Sequence, residues 1–440
     1  MQGKLFGTTT VILLSFGWLS SQVAGDDWPQ WRGPQRDGIW RETGVVEKFE
    51  RPELEIKWRR EISSGYGHPT VADGRVFVTD RVVDGIKQLE RIHCFEAMRG
   101  YRLWLRSYET VYEVASHDAG PRNAVTVHDG RAYSLGTMGH MFCLDAASGD
   151  VVWKRDLYTE YKIRMPKWGL CASPLIHGDL VSVQIGGSDG ACIVAFDRVT
   201  GAEKWRALDD PASYSSPILI EQAGRTVLVC WTGDQVAGLD PDTGKLFWGF
   251  PTKPTKFVRH CPSPVWNNGR LFMSSFFDGA LMLKLDPGRL AVEKVWSRIG
   301  KSEKPNEQDG LHSNVAEAFF LGDEVYGVDS YGEVRCLAAD TGERLWERVG
   351  DVIPQFRWST LRFVQNGDKF WLFTDSGELI ICRLSRDGYE EISRAKLIEP
   401  TKGQQPSSRT GVCWSHPAFA YQHVFARSDK EIVCASLKAE

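Results

Sequence analysis

The stretch Ala124–Asp156, AVTVHDGRAYSLGTMGHMFCLDAASGDVVWKRD, holds four short runs of β-branched and aromatic residues: AVTV, RAYSL, HMFCLDA and VVWKRD. The turns between them are His128-Asp129-Gly130, Gly136-Thr137-Met138-Gly139 and Ala147-Ser148-Gly149. Gly at such turns supplies the positive φ that tight hairpins need, so the runs read as antiparallel strands of one meander. Four short strands cannot cover both of their own faces. The meander needs copies of itself on either side.

The chain supplies those copies. The corner between third and fourth strands, LDAASGDVVW (Leu144–Trp153), returns as FDRVTGAEKW (Phe196–Trp205), LDPDTGKLFW (Leu239–Trp248) and LAADTGERLW (Leu337–Trp346). A degraded copy is FEAMRGYRLW (Phe95–Trp104), and LDPGRLAVEKVW (Leu285–Trp296) carries two extra residues. Successive Trp positions, from Trp104 to Trp346, are 49, 52, 43, 48 and 50 residues apart. A period of that size marks a propeller or solenoid. In the corner, Asp accepts hydrogen bonds from the turn and Gly takes the left-handed position. Trp is a large apolar wedge for the gap between neighbouring blades.

The blades read as 67–107, 121–157, 169–208, 213–250, 260–299, 312–349 and 358–395, with Ile392 in the Trp place of the seventh. Trp414–Leu437 then offers three strands, HPAFAY, HVFARS and EIVCASL, and no fourth. The lone run LEIKWRREI (Leu54–Ile62), with Trp58 in the outer-strand place, is the missing piece. Closing the ring this way removes a free sheet edge. The expected fold is therefore all-β: an eight-bladed β-propeller of four-stranded antiparallel blades, closed by an N-terminal strand in the last blade. It spans 54–440, preceded by an irregular, Trp- and Pro-rich cap over 26–53.

Residues 1–25 have a different character. Lys4 precedes the apolar run Val11–Leu19, and Val23 and Gly25 hold the −3 and −1 places before Asp26. The run is too short for a bilayer, which favours a cleaved signal peptide over an uncleaved anchor. No Cys stands near the cleavage site, so lipidation is not expected. The expected location is periplasmic or secreted.

Composition narrows the function. A net charge of −4 argues against a general nucleic-acid binder. Ten Cys in an exported chain suggest disulfides, but Cys94, Cys143, Cys336, Cys382 and Cys434 share one repeat position. Equivalent places on different blades are too far apart for a disulfide, so these five read as buried thiols. Cys171, Cys192, Cys230, Cys261 and Cys413 are left free to pair among themselves. No CxxC, HExxH, GxSxG or phosphate-binding loop is present, and no Asp-rich calcium loop. His117-Asp118 are sequence neighbours that point apart on an extended chain.

The longest connections lead from one blade's outermost strand to the next blade's innermost: Ser107–Pro121, Leu157–Trp168, Phe250–His260, Ile299–His312 and Ala395–Gly411. All fall on one face, where loops on a rigid scaffold carry binding. Some are basic, with Lys162, Arg164 and Lys167, Lys253, Lys256 and Arg259, and Lys396, Lys402 and Arg409, which could equally be a solvated rim. Where the loops enter the innermost strands stand His68, Arg122, Asn123, Trp168, Tyr214, Arg259, His260, His312, Asn314, Arg357, Trp358, Trp414 and His416. Converging on the axis, they form the candidate ligand site; the alternative is a water-filled channel.

The repeat resembles that of the pyrroloquinoline-quinone (PQQ) type propellers, carried by AFDRVTGAEKW (Ala195–Trp205), GLDPDTGKLFW (Gly238–Trp248) and CLDAASGDVVW (Cys143–Trp153). WPQWRGPQRDG (Trp28–Gly38) and WGLCASPLI (Trp168–Ile176) are similar to segments of exported propellers of planctomycete-type bacteria. The resemblance implies one of two roles. Quinoprotein dehydrogenases hold the quinone and Ca²⁺ on the propeller axis, many with an adjacent Cys pair above it; this chain has no such pair and no matching carboxylate–Asn set. The outer-membrane assembly lipoprotein uses its propeller as a protein-binding scaffold. The expectation is a non-catalytic binding or scaffolding propeller without a cofactor or metal, monomeric, with an envelope or extracellular protein partner and no membrane insertion after cleavage. The alternative is a quinone-dependent alcohol or sugar dehydrogenase using PQQ and Ca²⁺.

Overall fold

A computed structural model of the chain describes residues 26–112, 120–402, 405 and 410–439. The expected signal peptide, the His117-Asp118 pair and Arg409 lie outside them. The described chain folds into eight four-stranded antiparallel sheets. Seven are simple meanders, over 70–109, 126–156, 175–207, 218–251, 265–298, 319–348 and 361–396. The eighth joins both ends of the chain: Ile56–Glu61 pairs with Glu431–Ser436, which continues through His423–Arg427 to Ala418–Ala420. The propeller and its closure are as the repeats predict.

Burial follows position in the blade. Inner strands are covered on both faces, as in Thr70–Ala72 and Leu180–Gln184, while outer strands alternate, as in Val151–Asp156. The corners work through the expected chemistry. Asp197 Oδ1 accepts from the backbone N–H of Val199 at 3.1 Å and Thr200 at 2.9 Å, and Gly201 sits at φ +72°. Most of the repeat Trp residues then dock on the next blade's corner, whereas Trp248 donates to Gln222 Oε1 of its own blade at 2.8 Å. Nε1 of Trp104 donates to the Ala146 carbonyl at 3.1 Å, Trp153 to Arg198 at 3.1 Å, Trp205 to Pro241 at 3.2 Å and Trp296 to Ala339 at 2.7 Å. The indole lies flush on the corner glycine, where a Cβ on Gly201 would sit 2.7 Å from Trp153 Cδ2. One residue thus fills the interblade gap and satisfies a buried carbonyl.

The seventh blade lacks its Trp, and Ile392 falls at its strand bulge. The segment before the first strand fills the gap. Phe49 donates its N–H to Ser393 Oγ at 2.9 Å and packs on Trp371 with ring centroids 5.7 Å apart, while Leu54 N–H reaches the Lys396 carbonyl at 2.9 Å. The expected cap is thus tied into the ring.

Its first part closes the channel. Trp28 exchanges two backbone hydrogen bonds with Val71, Val127 N–H donates to the Pro29 carbonyl, and Trp40 N–H to the Gln365 carbonyl. Val71, Val127 and Gln365 lie near the downstream ends of innermost strands, so the segment crosses the face opposite the long loops. Arg36, fully buried, donates to the Pro174 and Pro217 carbonyls. All ten cysteines are free thiols. The five at the repeat position are buried, and the pairing left open for the other five is not made.

Candidate functional site

The innermost strands set the site by a simple count. Four residues before the last residue of each strand, around the ring, stand His68, Ala124, Ser173, Ile218, Ser263, Glu317, Arg362 and His416. Two residues further back stand Tyr66, Arg122, Cys171, Ser216, Cys261, Val315, Thr360 and Trp414. Alternate residues of an extended chain share a face, and eleven of these sixteen line the axial cavity, whereas Ile218 packs in the core between blades. They form two stacked rings. Above them Tyr214, Arg259, Asn314 and Trp358 complete the wall, with Trp168 and Gln405 from the loops. The cavity they line is about 200 Å³.

Trp31 is the floor. Its ring lies 4.3 Å from that of His68 and 5.4 Å from that of His416, and Nε1 donates to Ser263 Oγ at 3.0 Å. With the channel blocked from that side, the pocket is blind and opens only toward the long-loop face.

The lining combines aromatic faces with buried charge. Arg259 holds its guanidinium 5.2 Å from the Trp168 ring and 3.9 Å from Phe276, and donates to Asn314 Oδ1 at 2.5 Å. Trp168 leans on Tyr214 at 4.9 Å, and Arg122 covers Tyr66 at 5.1 Å. Deeper down, Arg362 donates to the carbonyls of Val315 and, at 2.6 Å, Trp414, with Glu317 Oε2 3.5 Å away. Glu317 Oε1 accepts the Ser263 N–H at 3.2 Å. The lone carboxylate of the lining thus bonds the Ser263 N–H through Oε1 and faces Arg362 through Oε2, which has no hydrogen-bond partner among the described residues.

The acid–base groups are held in one form. Burial pushes His68 well below the usual imidazole range, and its Nδ1 accepts the His416 N–H at 2.6 Å. Burial raises Cys171 and Cys261 to about 12, so both remain thiols, and lowers Arg259 to about 10, which leaves it charged at neutral pH. Trp358 has the left-handed φ of +75°, held by its N–H bond to the Ser330 carbonyl at 2.7 Å. For a bulky residue this conformation is a genuine outlier.

Of the residues expected at the channel mouth, His68, Arg122, Trp168, Tyr214, Arg259, Asn314, Trp358 and Trp414 line the pocket. Five do not. Asn123, His260, His312 and Arg357 each stand next in sequence to an inward or near-inward position and so point the other way. Asn123 donates to the Leu135 carbonyl, and His260 stacks on Trp231 at 4.3 Å with Nδ1 2.9 Å from the Thr232 carbonyl. His312 Nδ1 lies 3.0 Å from the Phe276 carbonyl, and Arg357 pairs with Glu303 at 2.6 Å. His416 shares the lower ring, but its imidazole packs edge-on against Trp31 and turns to the Pro417 carbonyl. The sequence reading missed Tyr66, Cys171, Ser173, Ser216, Cys261, Val315, Glu317 and Arg362, which counting back from the hairpin turns finds. Trp31 and Gln405 have no such signal.

Among the described residues, no three His, Cys, Asp or Glu side chains are grouped to hold a metal ion, and no helix is long and apolar enough to cross a membrane. Known proteins similar to the chain include quinone-dependent dehydrogenases and an outer-membrane assembly factor. The chain is 25% identical over 273 residues to the 1-butanol dehydrogenase (quinone) of Thauera butanivorans, covering 53% of this chain and 42% of that one. It is 21% identical to the outer membrane protein assembly factor BamB of Shewanella oneidensis, over 62% of this chain and 67% of that one. The chain thus spans less than half the length of the dehydrogenase and about two thirds of the assembly factor. The crystal structure of the quinohemoprotein alcohol dehydrogenase from Comamonas testosteroni superposes with a TM-score of 0.64 at 13% identity, over 94% of this chain and 81% of that one, which shows a shared fold. The family model described as outer membrane protein assembly factor BamB matches residues 88–348, more than half of the sequence, and the chain belongs to that family of PQQ-like repeat propellers.

Proposed function

We propose that this chain is an exported, non-catalytic propeller that binds a ligand or a protein partner through its long-loop face and blind axial pocket. The observation that carries the reading is the state of the pocket's ionisable groups. Glu317 is tied to Arg362 and Ser263, His68 is neutral with Nδ1 engaged, and both thiols stay protonated. The lining imidazole and both thiols are each held in one form, so the arrangement suits recognition better than turnover. Family membership supports the scaffold role, since a relative is named as an assembly factor.

The second reading, a quinone-dependent dehydrogenase, draws on the relatives of that name and on the stacking surfaces of Trp31, Trp168 and Trp414 beside Arg259. A planar, carboxylated quinone suits those surfaces. The donor set does not fit its calcium, because Ca²⁺ takes six to eight oxygen ligands and the lining offers one carboxylate already paired. The deciding experiment is twofold. The chain is used to capture partners from an envelope extract, and dye reduction is followed with PQQ, Ca²⁺ and a panel of alcohols and sugars. Specific capture without dye reduction is expected; turnover overturns the binding reading.

A further inference from the structure

We infer that an extended acidic segment of a partner protein docks in a slot on the face opposite the long loops, pairing with the open innermost-strand edges of the fifth and sixth blades. The slot shares no lining residue with the axial pocket and does not depend on what that pocket binds.

The N-terminal segment shows how a chain crosses this face. In a hairpin, the residue just before the closing pair points its N–H and C=O away from its partner strand, here toward the axis. Val71, Val127 and Gln365 hold that place on the first, second and seventh blades, and all three meet the segment. Trp28 exchanges two bonds with Val71, Val127 donates to the Pro29 carbonyl, and Gln365 donates to Gly38 and accepts from Trp40. Ile176, Trp266 and Phe320 hold the same place on the third, fifth and sixth blades, before the closing pairs His177–Leu180, Asn267–Arg270 and Leu321–Glu324. Among the described residues the segment makes no backbone bond to any of these three. All three line a cavity of about 510 Å³ between the strands and segment residues 30–39.

Side chains and charge select the occupant. Trp266 is 40% exposed and, with Leu219, Val265 and Phe320, makes part of the lining apolar. Arg32 and Arg36 line the slot as well, and neither makes an ion pair among the described residues. Arg36 donates only to neutral acceptors, the Gln30 amide and the Pro174 and Pro217 carbonyls. Arg32 Nη2 donates to the Asp37 carbonyl at 3.1 Å; Nη1 makes no hydrogen bond among the described residues and is not sealed from solvent as Nε is. Asp37, the lone carboxylate of the lining, pairs with Arg41. Buried cations without a counter-charge are costly, and an acidic side chain entering the slot supplies one. An extended peptide sends alternate side chains to opposite sides, which suits alternating acidic and apolar residues. Main-chain bonds to the open edges supply affinity in this mode.

The test titrates the whole chain with a short, end-blocked peptide alternating Val and Glu, and follows amide hydrogen exchange. Control peptides alternate Val and Lys, or carry N-methylated amides. The Val–Glu peptide should bind at least tenfold more tightly than either control and slow exchange at Trp266 and Phe320 at least tenfold. Trp266→Ala, at an exposed position, and Leu219→Glu, which sets a like charge beside the peptide, should each weaken binding tenfold or more. Arg36→Gln should do the same, and the other two variants serve if it does not fold. Equal affinity for either control, no binding at all, or unchanged exchange at Trp266 and Phe320 overturns the proposal. So does protection of those amides by decanoate alone, which assigns the slot to an amphiphile. Dimerisation that is lost in Trp266→Ala overturns it too, by assigning the slot to a second copy of the chain.

Discussion

Trp58 Nε1 donates a 2.8 Å hydrogen bond to the carbonyl of Ala97, and through that contact a strand from the start of the chain locks the eighth blade onto the first. The indole is 5% exposed and packs against Gly100, where a Cβ would meet Trp58 Cδ2 at 2.5 Å. Trp58 is also the register partner of Cys434 in the last strand of the ring. Trp58→Ala removes the wedge and orphans the Ala97 carbonyl. A loss of about 3–5 kcal/mol is expected, the range for large-to-small changes in a core, measured as the shift in a denaturant unfolding curve. A change within error of wild type would mean that the ring does not depend on this closure.

The glycines of the blade turns separate two kinds of requirement. Gly201 has φ +72° and lies under Trp153, whereas Gly130 has φ +67° and nothing within 4 Å of an added Cβ. Gly130→Ala should therefore lose only the left-handed penalty, about 1–2 kcal/mol. Gly201→Ala adds a steric clash of about 1–3 kcal/mol to the same penalty. In the Trp153→Ala background the extra cost of Gly201→Ala should disappear, because the clashing partner is gone. Unfolding curves of the four variants make the comparison, and equal costs for the two glycines would refute the docking account.

Acid should destabilise the protein in part through its buried histidines. Burial lowers His416 to about 3, and lowers His68, His93 and His423 as well. Between about pH 6.5 and pH 3 the unfolded chain protonates His416 while the folded one does not. The stability this neutral group contributes is complete above the unfolded value and falls with pH, by about 1.4 kcal/mol per unit. Asp375 acts with the opposite sign, since burial raises it to about 7 and the folded state takes up its proton first. The clean measurement is a difference. Between pH 6 and pH 4 the unfolding free energy of His416→Gln should fall less steeply than that of wild type by about 1.4 kcal/mol per unit. Parallel pH profiles would show that His416 is not held neutral.

Most of the propeller was legible because each blade is built from local hairpins. The corner's Asp, Gly and Trp mark the third and fourth strands, and the lone run around Trp58 completes an otherwise three-stranded last blade. The site was legible only in part. Aromatic and charged residues near the strand starts were found, but their parity was not. Arg122 and Asn123, or Arg259 and His260, are neighbours in sequence and opposite in direction, and only register with the hairpin turn separates them. Small residues such as Ser173, Ser216 and Cys261 carry no chemical signal that would have selected them. Nor does the period reveal how the broken seventh repeat is repaired: Phe49 reaches Ser393 across 344 residues. No local pattern encodes a contact of that range.

The floor of the pocket is the contact least visible in sequence, as Trp31 and Ser263 lie 232 residues apart. It is also the part whose removal tests the blind pocket most directly. Trp31 is 6% exposed, packs against His68 and His416, and belongs to a segment held by backbone bonds to the first, second and seventh blades. Trp31→Ala should lose about 3–5 kcal/mol. Because the neighbouring blades are braced by their own tryptophans, the ring should stay closed around an open hole. Trp31→Phe keeps a ring over the histidines and gives up mainly the bond to Ser263, a loss of about 1 kcal/mol. Unfolding curves of both variants give the answer. If Trp31→Ala melts with wild type, the N-terminal segment only covers the ring and the pocket has another floor.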